Sequence, residues 1–294
     1  MFWKSKEAGK HIAHLAAVIE DGEEFSRRAK QAAQALGGKA IGKSRAYFWG
    51  PPDKPAELAG RFEGLGDWMA VCQAAIFEIW FHLGADALKE LRSVAFGVYD
   101  WTQANATEVL CRLALNGIET EQTAAQIAKA LPEWRYEQIM RVCGRVAELA
   151  ARSDVLRQAY DQLTDEYRQA DPVDGFELIS AAARFSPMHV KARYGDFLRL
   201  LMAGSGLEGR TAFDDGHVVA TADGKGVVAK SGPTYPQVED FHRVRAAMLL
   251  HALEPDDAAV KSQLTIWSEN HPDDNARRQL RELLARSPGS APAI

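Results

Sequence analysis

The chain has 294 residues, is 47% hydrophobic and 26% charged, and carries a net charge of −5. That composition argues against a largely disordered chain, and the acidic balance argues against a general phosphate-backbone binder, whose affinity comes mainly from Lys and Arg. Residues 1–50 hold nine Lys/Arg against five Asp/Glu, which leaves the remainder net acidic by nine, a bias that suits a basic partner.

In chain order, the start from Met1 to Glu7 turns amphipathic without the apolar core of a signal peptide, so a cytoplasmic location is expected. Residues 5–36 read as one or two helices with Ile12, Leu15, Ala16 and Ile19 on one face. His11 and His14 sit three apart there, a spacing that can share a metal, but no third and fourth ligand accompany them.

Gly37 to Pro55 reads as a loop carrying the cluster Tyr47-Phe48-Trp49 ahead of Gly50-Pro51-Pro52. Its first part, Gly37-Gly-Lys-Ala-Ile-Gly42-Lys43-Ser44, matches the phosphate-loop pattern G-x-x-x-x-G-K-S letter for letter. That chemistry needs a buried strand before the loop and a helix opening at the lysine. Here a polar, Ala-rich helix precedes it and two prolines follow, so the match reads as a helix C-cap and a basic loop. Tyr47 and Trp49 are candidate partner-binding residues, because Trp and Tyr dominate interaction hot spots.

Short helices are expected at 55–62, 67–83 and 85–97. The most apolar stretch, Trp68 to Leu83, is broken by Gln73, Glu78 and His82 and is shorter than the ~20 residues of a bilayer span, so it reads as a central buried helix. From about Asn105 the helical period restarts at capping signals: Thr120, Ser153, Asp171-Pro172, Ser186-Pro187, and Pro-Asp-Asp at 255–257 and 272–274. The helices so marked are 105–116, 120–131, 133–151, 154–168, 173–184, 188–203, 236–253, 256–269 and 273–286. Cys72, Cys111 and Cys143 lie singly in apolar stretches, which fits free thiols rather than a disulfide framework or zinc site.

Thr120 to Leu149 has the letters of a helix-turn-helix, with Arg135, Arg141 and Arg145 on the second helix. Glu133, Glu137 and Glu148 are interspersed, which spoils the basic face that DNA requires. Between Gly204 and Gly232 the helical period stops, and apolar runs flanking Asp223-Gly224 predict a β-hairpin over about 217–230. Asp214, Asp215 and His217 could bind a metal, although Asp-Asp-Gly is also ordinary turn chemistry.

Phe185-Ser-Pro-Met-His-Val-Lys-Ala192-Arg-Tyr194-Gly195 and the 33-residue step from Pro255 to Pro288 resemble joints of tetratricopeptide units, and 105–203 resembles HEAT or armadillo repeats. That resemblance implies a binding surface for other macromolecules. The expected fold is therefore all-α: an α-solenoid-like stack of antiparallel helix pairs with one inserted β-hairpin. Its parts are an N-terminal helical segment, 1–84; an array, 85–288, interrupted by the hairpin at about 205–234; and a tail, 289–294.

The expected function is a non-enzymatic protein-binding module. Its most specific form is a bacterial immunity protein that neutralises a toxic effector by direct binding. Tyr47, Trp49, Asp215, His217 and Lys225 would make the contacts, with no cofactor, nucleic acid or membrane involved. The rival readings are a metal-dependent enzyme built on the Asp/His groups and a helix-turn-helix nucleic-acid binder.

Overall fold

The computed structural model describes residues 5–97, 100–207, 241–271 and 273–285, and the backbone alone of 217–220, 227–230 and 237–240. The chain forms two compact units, Met1–Asp161 and Gln162–Ile294. Helices pack in neighbouring pairs throughout, an arrangement compatible with helical repeats.

In the first unit the helices are α1 (Lys6–Ala16), α2 (Gly22–Leu36), α3 (Ala40–Arg45), α4 (Asp67–Leu83), α5 (Leu88–Ala95), α6 (Thr102–Leu115), α7 (Thr120–Ala130), α8 (Tyr136–Ala150) and the start of α9 (Asp154–Ala170). α4 is central: it packs against α1, α2, α3 and α6. Being enclosed on several sides explains why its sequence is apolar nearly all round rather than striped. Cys72, Ile76, Ile79 and Trp80 are buried in one cluster with Ile12, Leu36, Phe48, Leu91 and Leu110. Gly84 ends α4 with a φ of +63°, a left-handed step that only glycine takes without cost. The stretch Asp67–Ala95 is long and apolar enough by composition to cross a membrane; here it supplies the centre of this core.

The second unit holds the rest of α9 with α10 (Pro172–Ala183), α11 (Pro187–Ala203), α12 (Gln237–Leu253), α13 (Ala258–Asn270) and α14 (Asp274–Ala285). Consecutive helices from α10 to α14 pack on one another around Phe176, Ile179, Tyr194, Leu198, Leu250 and Leu264. Asp171 and Asp257 cap α10 and α13 by accepting backbone N–H bonds, from Val173 at 2.8 Å and from Ala259 at 2.9 Å. Trp267 lies under the Arg243 guanidinium, 5.4 Å from its ring centre.

The expected fold class is corrected at the hairpin. The interpretable part is all-helical, 79% helix, and no β-hairpin is part of it. Most of 208–236 lies outside the described residues. Two four-residue backbone stretches, β1 (His217–Ala220) and β2 (Val227–Lys230), pair antiparallel with each other alone, so they extend no sheet and add no layer. Two paired segments that short are marginal as an independent structural unit.

Three local expectations also change. The segment 55–62 holds only a 3-10 turn, Ala56–Leu58, because Pro55 precedes it and Gly60 turns with positive φ. The loop expected at 37–55 contains α3. Thr120 is the first residue of α7 rather than its cap, and its hydroxyl donates back to the Ala114 carbonyl at 2.6 Å.

Candidate partner-binding site

The segment from Arg45 to Pro52 leaves α3 and runs over α4. Three side chains of α4 donate hydrogen bonds to it or to its base. Trp68 Nε1 reaches the Pro52 carbonyl at 2.7 Å, Gln73 Nε2 the Phe48 carbonyl at 2.8 Å, and Trp80 Nε1 the Ser44 hydroxyl at 2.9 Å. Ser44 in turn donates to the Ala40 carbonyl at 2.7 Å. This geometry disposes of the phosphate-loop pattern. A helix rather than a strand precedes the glycines, and the serine that would bind Mg²⁺ is buried in structural bonds.

Tyr47 and Trp49 take opposite positions. Tyr47 is only 6% exposed, and its hydroxyl donates to the Ser5 carbonyl at 2.9 Å. Burial, helped by the charge of Asp53, pushes that phenol above its ordinary pKa of 10. It fastens the segment to the entry of α1. Trp49 is 57% exposed, and Trp101, at the start of α6, is 46% exposed. Their rings meet edge to face with centres 5.9 Å apart. Phe48, stacked parallel on Trp80 at 5.8 Å and touching Trp49 at 5.4 Å, supports this shelf from below.

One buried amide ties Trp101 to the backbone beside Trp49. While Gln73 Nε2 holds the Phe48 carbonyl, its Oε1 accepts from Trp101 Nε1 at 2.9 Å. A cleft of about 480 Å³ opens beside Trp49, with Arg45, Glu90, Ser93 and Asp100 among its walls. Arg45 and Glu90 form an ion pair. The Asp100 carboxylate accepts from the Thr102 backbone N–H at 2.6 Å, starting α6. The site offers rigid aromatic surface rimmed by charge.

A second polar cluster lies on the other side of α4. Arg112 grips Glu78 with two bonds, 2.7 and 3.0 Å, and its guanidinium covers the Phe81 ring at 3.8 Å. Burial pushes the Glu78 carboxyl up, but the bonds from His82 and Arg112 overcome it and hold the group at about 2. Ser26 Oγ lies 3.1 Å from His82 Nε2. These are the residue types of a hydrolytic triad, but the arrangement is wrong. Glu78 approaches the same Nε2, at 3.4 Å, so it cannot orient the ring through the opposite nitrogen as a triad acid does. The cluster is a buried fastening.

Asp215 and Lys225 lie outside the described residues, and His217 is described only as strand backbone. His11 is half-buried and His14 exposed, and no group of three or more metal-ligating side chains forms among the described residues. On α8, Arg145 is engaged by Glu108 at 3.1 Å and Glu148 at 2.6 Å, which removes one of the charges a recognition helix would present. Burial pushes the Cys72 thiol up to about 12, far from a nucleophile's range.

Sequence reasoning named Trp49 as a candidate contact and did not name Trp101, which lies beside it. The signal available was Gln73, a polar residue inside an apolar helix. No family model matches the chain, and no curated protein or solved structure matches it either.

Proposed function

We propose that the chain is a non-enzymatic protein-binding module that engages its partner through the Trp49–Trp101 shelf. The observation that carries this reading is the pair of adjacent, half-exposed indoles on a rigid mount. Large apolar side chains are normally kept from solvent, and paired tryptophans with a charged rim have the make-up of an interaction hot spot. Because Gln73 and Phe48 fix the rings in advance, little side-chain entropy remains to be lost on docking. The net charge of −5 favours a basic partner. The most specific form of the reading is an immunity protein that blocks a toxic effector by direct binding, and a HEAT- or tetratricopeptide-like array is the scaffold proposed for it.

The test is affinity capture with the tagged full-length chain in its native cells, beside Trp49→Ala and Trp101→Ala. The expected result is one stoichiometric protein partner whose affinity falls at least about tenfold in each variant, the loss of ~1.4 kcal/mol or more typical of a hot-spot truncation. Equal retention by both variants, with unchanged melting temperatures, would exclude this shelf. Absence of any partner would overturn the reading.

A further inference from the structure

We propose that the cleft beside Trp49 is a receptor for an arginine side chain, which the partner supplies as its anchor. The guanidinium would lie against the Trp49 indole and pair with the Asp100 carboxylate. This deepens the protein-binding reading and rests on it for the source of the arginine.

The cleft holds about 480 Å³, and its charged walls are Arg45, Glu90 and Asp100. Arg45 already forms an ion pair with Glu90, which leaves Asp100 as the uncompensated charge. Only one oxygen of that carboxylate is committed. Oδ1 accepts from the Thr102 backbone N–H at 2.6 Å and also from the Thr102 hydroxyl, which holds the group in place. Oδ2 takes no bond among the described residues, and Asp100 is half-buried, so this oxygen stays accessible rather than sealed in the core.

The chain brings this oxygen and the indoles to one place. Asp100 immediately precedes Trp101, whose ring centre is 5.9 Å from that of Trp49. Asp100 and Trp49 both line the cleft. Trp49 is more than half exposed, so its ring surface is open to a ligand. An open indole, a fixed carboxylate and free volume beside both suit a cation that can also rest on an aromatic ring.

Chemistry selects arginine among the side chains. Its guanidinium is planar, stacks on aromatic rings and is more weakly hydrated than an ammonium, so less is lost when it enters a half-open cleft. Its methylene stem covers apolar surface while the head keeps its polar contacts. An acidic side chain would meet Asp100 with like charge, which tells against it as an anchor. The net acidity of the chain after residue 50 draws basic partners in the same sense.

The experiment titrates the nitrogen-15-labelled full chain with acetyl-Gly-Arg-Gly-amide. It follows the tryptophan indole N–H signals by NMR, assigned with Trp49→Phe and Trp101→Phe. The controls are the same peptide with lysine and with citrulline, the neutral isostere of arginine. Saturable shifts of the Trp49 and Trp101 signals are expected. Citrulline should bind more weakly by about fivefold or more, the joint worth of an exposed cation–π contact and an ion pair, with lysine between the two. Asp100→Asn keeps an oxygen for Thr102 but removes the charge, so it should bring arginine down to the citrulline level and leave citrulline unchanged. Should that variant fail to fold, the wild-type comparison of arginine with citrulline decides alone. No saturable shift, or arginine binding no tighter than citrulline or lysine, would overturn the proposal. Affinity capture separates this outcome from failure of the protein-binding reading. A partner lost with Trp49→Ala but fully kept by Asp100→Asn overturns the arginine and spares the shelf. Peptide binding as expected, with no partner captured, overturns the protein-binding reading and keeps the arginine site.

Discussion

Polar residues inside the apolar helix α4 carry most of the specific chemistry. Glu78 is the clearest case. Its carboxyl is held at about 2, against the ordinary 4.5, by His82 and Arg112 working against burial. A depressed pKa means the pairing stabilises the fold fully above about pH 4.5 and loses that contribution as pH falls toward 2. The shift corresponds to stabilisation on the order of 3 kcal/mol at neutral pH. Glu78→Gln should therefore lower the neutral-pH denaturation midpoint, and its deficit relative to wild type should shrink steadily through that acid window. A deficit independent of pH would refute the assignment. Gln73, Glu78 and His82 were all visible in the sequence as breaks in an apolar run, but what they bond to was not. Trp101 stands 28 residues from Gln73 and Ser26 stands 56 from His82, separations that no local pattern spans.

Among the elements, helix positions were legible almost throughout, because apolar periodicity and caps are local signals. Capping details were less so. Asp257, the second acid of Pro255-Asp256-Asp257, caps α13. In the second copy it is the first acid, Asp273, that accepts from the backbone N–H groups of Asn275 and Ala276, at 2.7 and 3.4 Å. The same three letters thus open two helices one residue out of step. Helix contacts also give glycine opposite meanings at two places. A Cβ on Gly175 in α10 would lie 2.5 Å from the Arg168 Cα of α9, whereas one on Gly144 in α8 would meet nothing within 4 Å. Gly175→Ala should destabilise the protein by about 1–3 kcal/mol, since backbone must move to admit the methyl group. Gly144→Ala should stabilise by about 0.5–1 kcal/mol through helix propensity alone. Urea midpoints followed by circular dichroism check both, and equal signs would contradict the packing.

At the scale of the whole molecule, the described residues include one core centred on α4 and another gathered around α10 to α14, each within its own compact unit. The division at residue 161 has no breaker to mark it, since α9, Asp154–Ala170, runs across it without a proline or glycine. Separate cores predict separate unfolding transitions. The tryptophans provide the means to see them. Of seven in the sequence, only Trp267 falls after residue 161. Emission near 340 nm is thus a signal from residues 1–161 almost exclusively, whereas ellipticity at 222 nm sums helices from both halves. Urea titrations by the two probes should give curves with different midpoints, and superimposable curves would show a single cooperative unit. Excitation at 295 nm in Trp267→Phe should leave the emission curve nearly unchanged. The placement of its indoles has in effect labelled one half of this protein and left the other nearly dark, so a spectrometer can follow the labelled half without any dye attached.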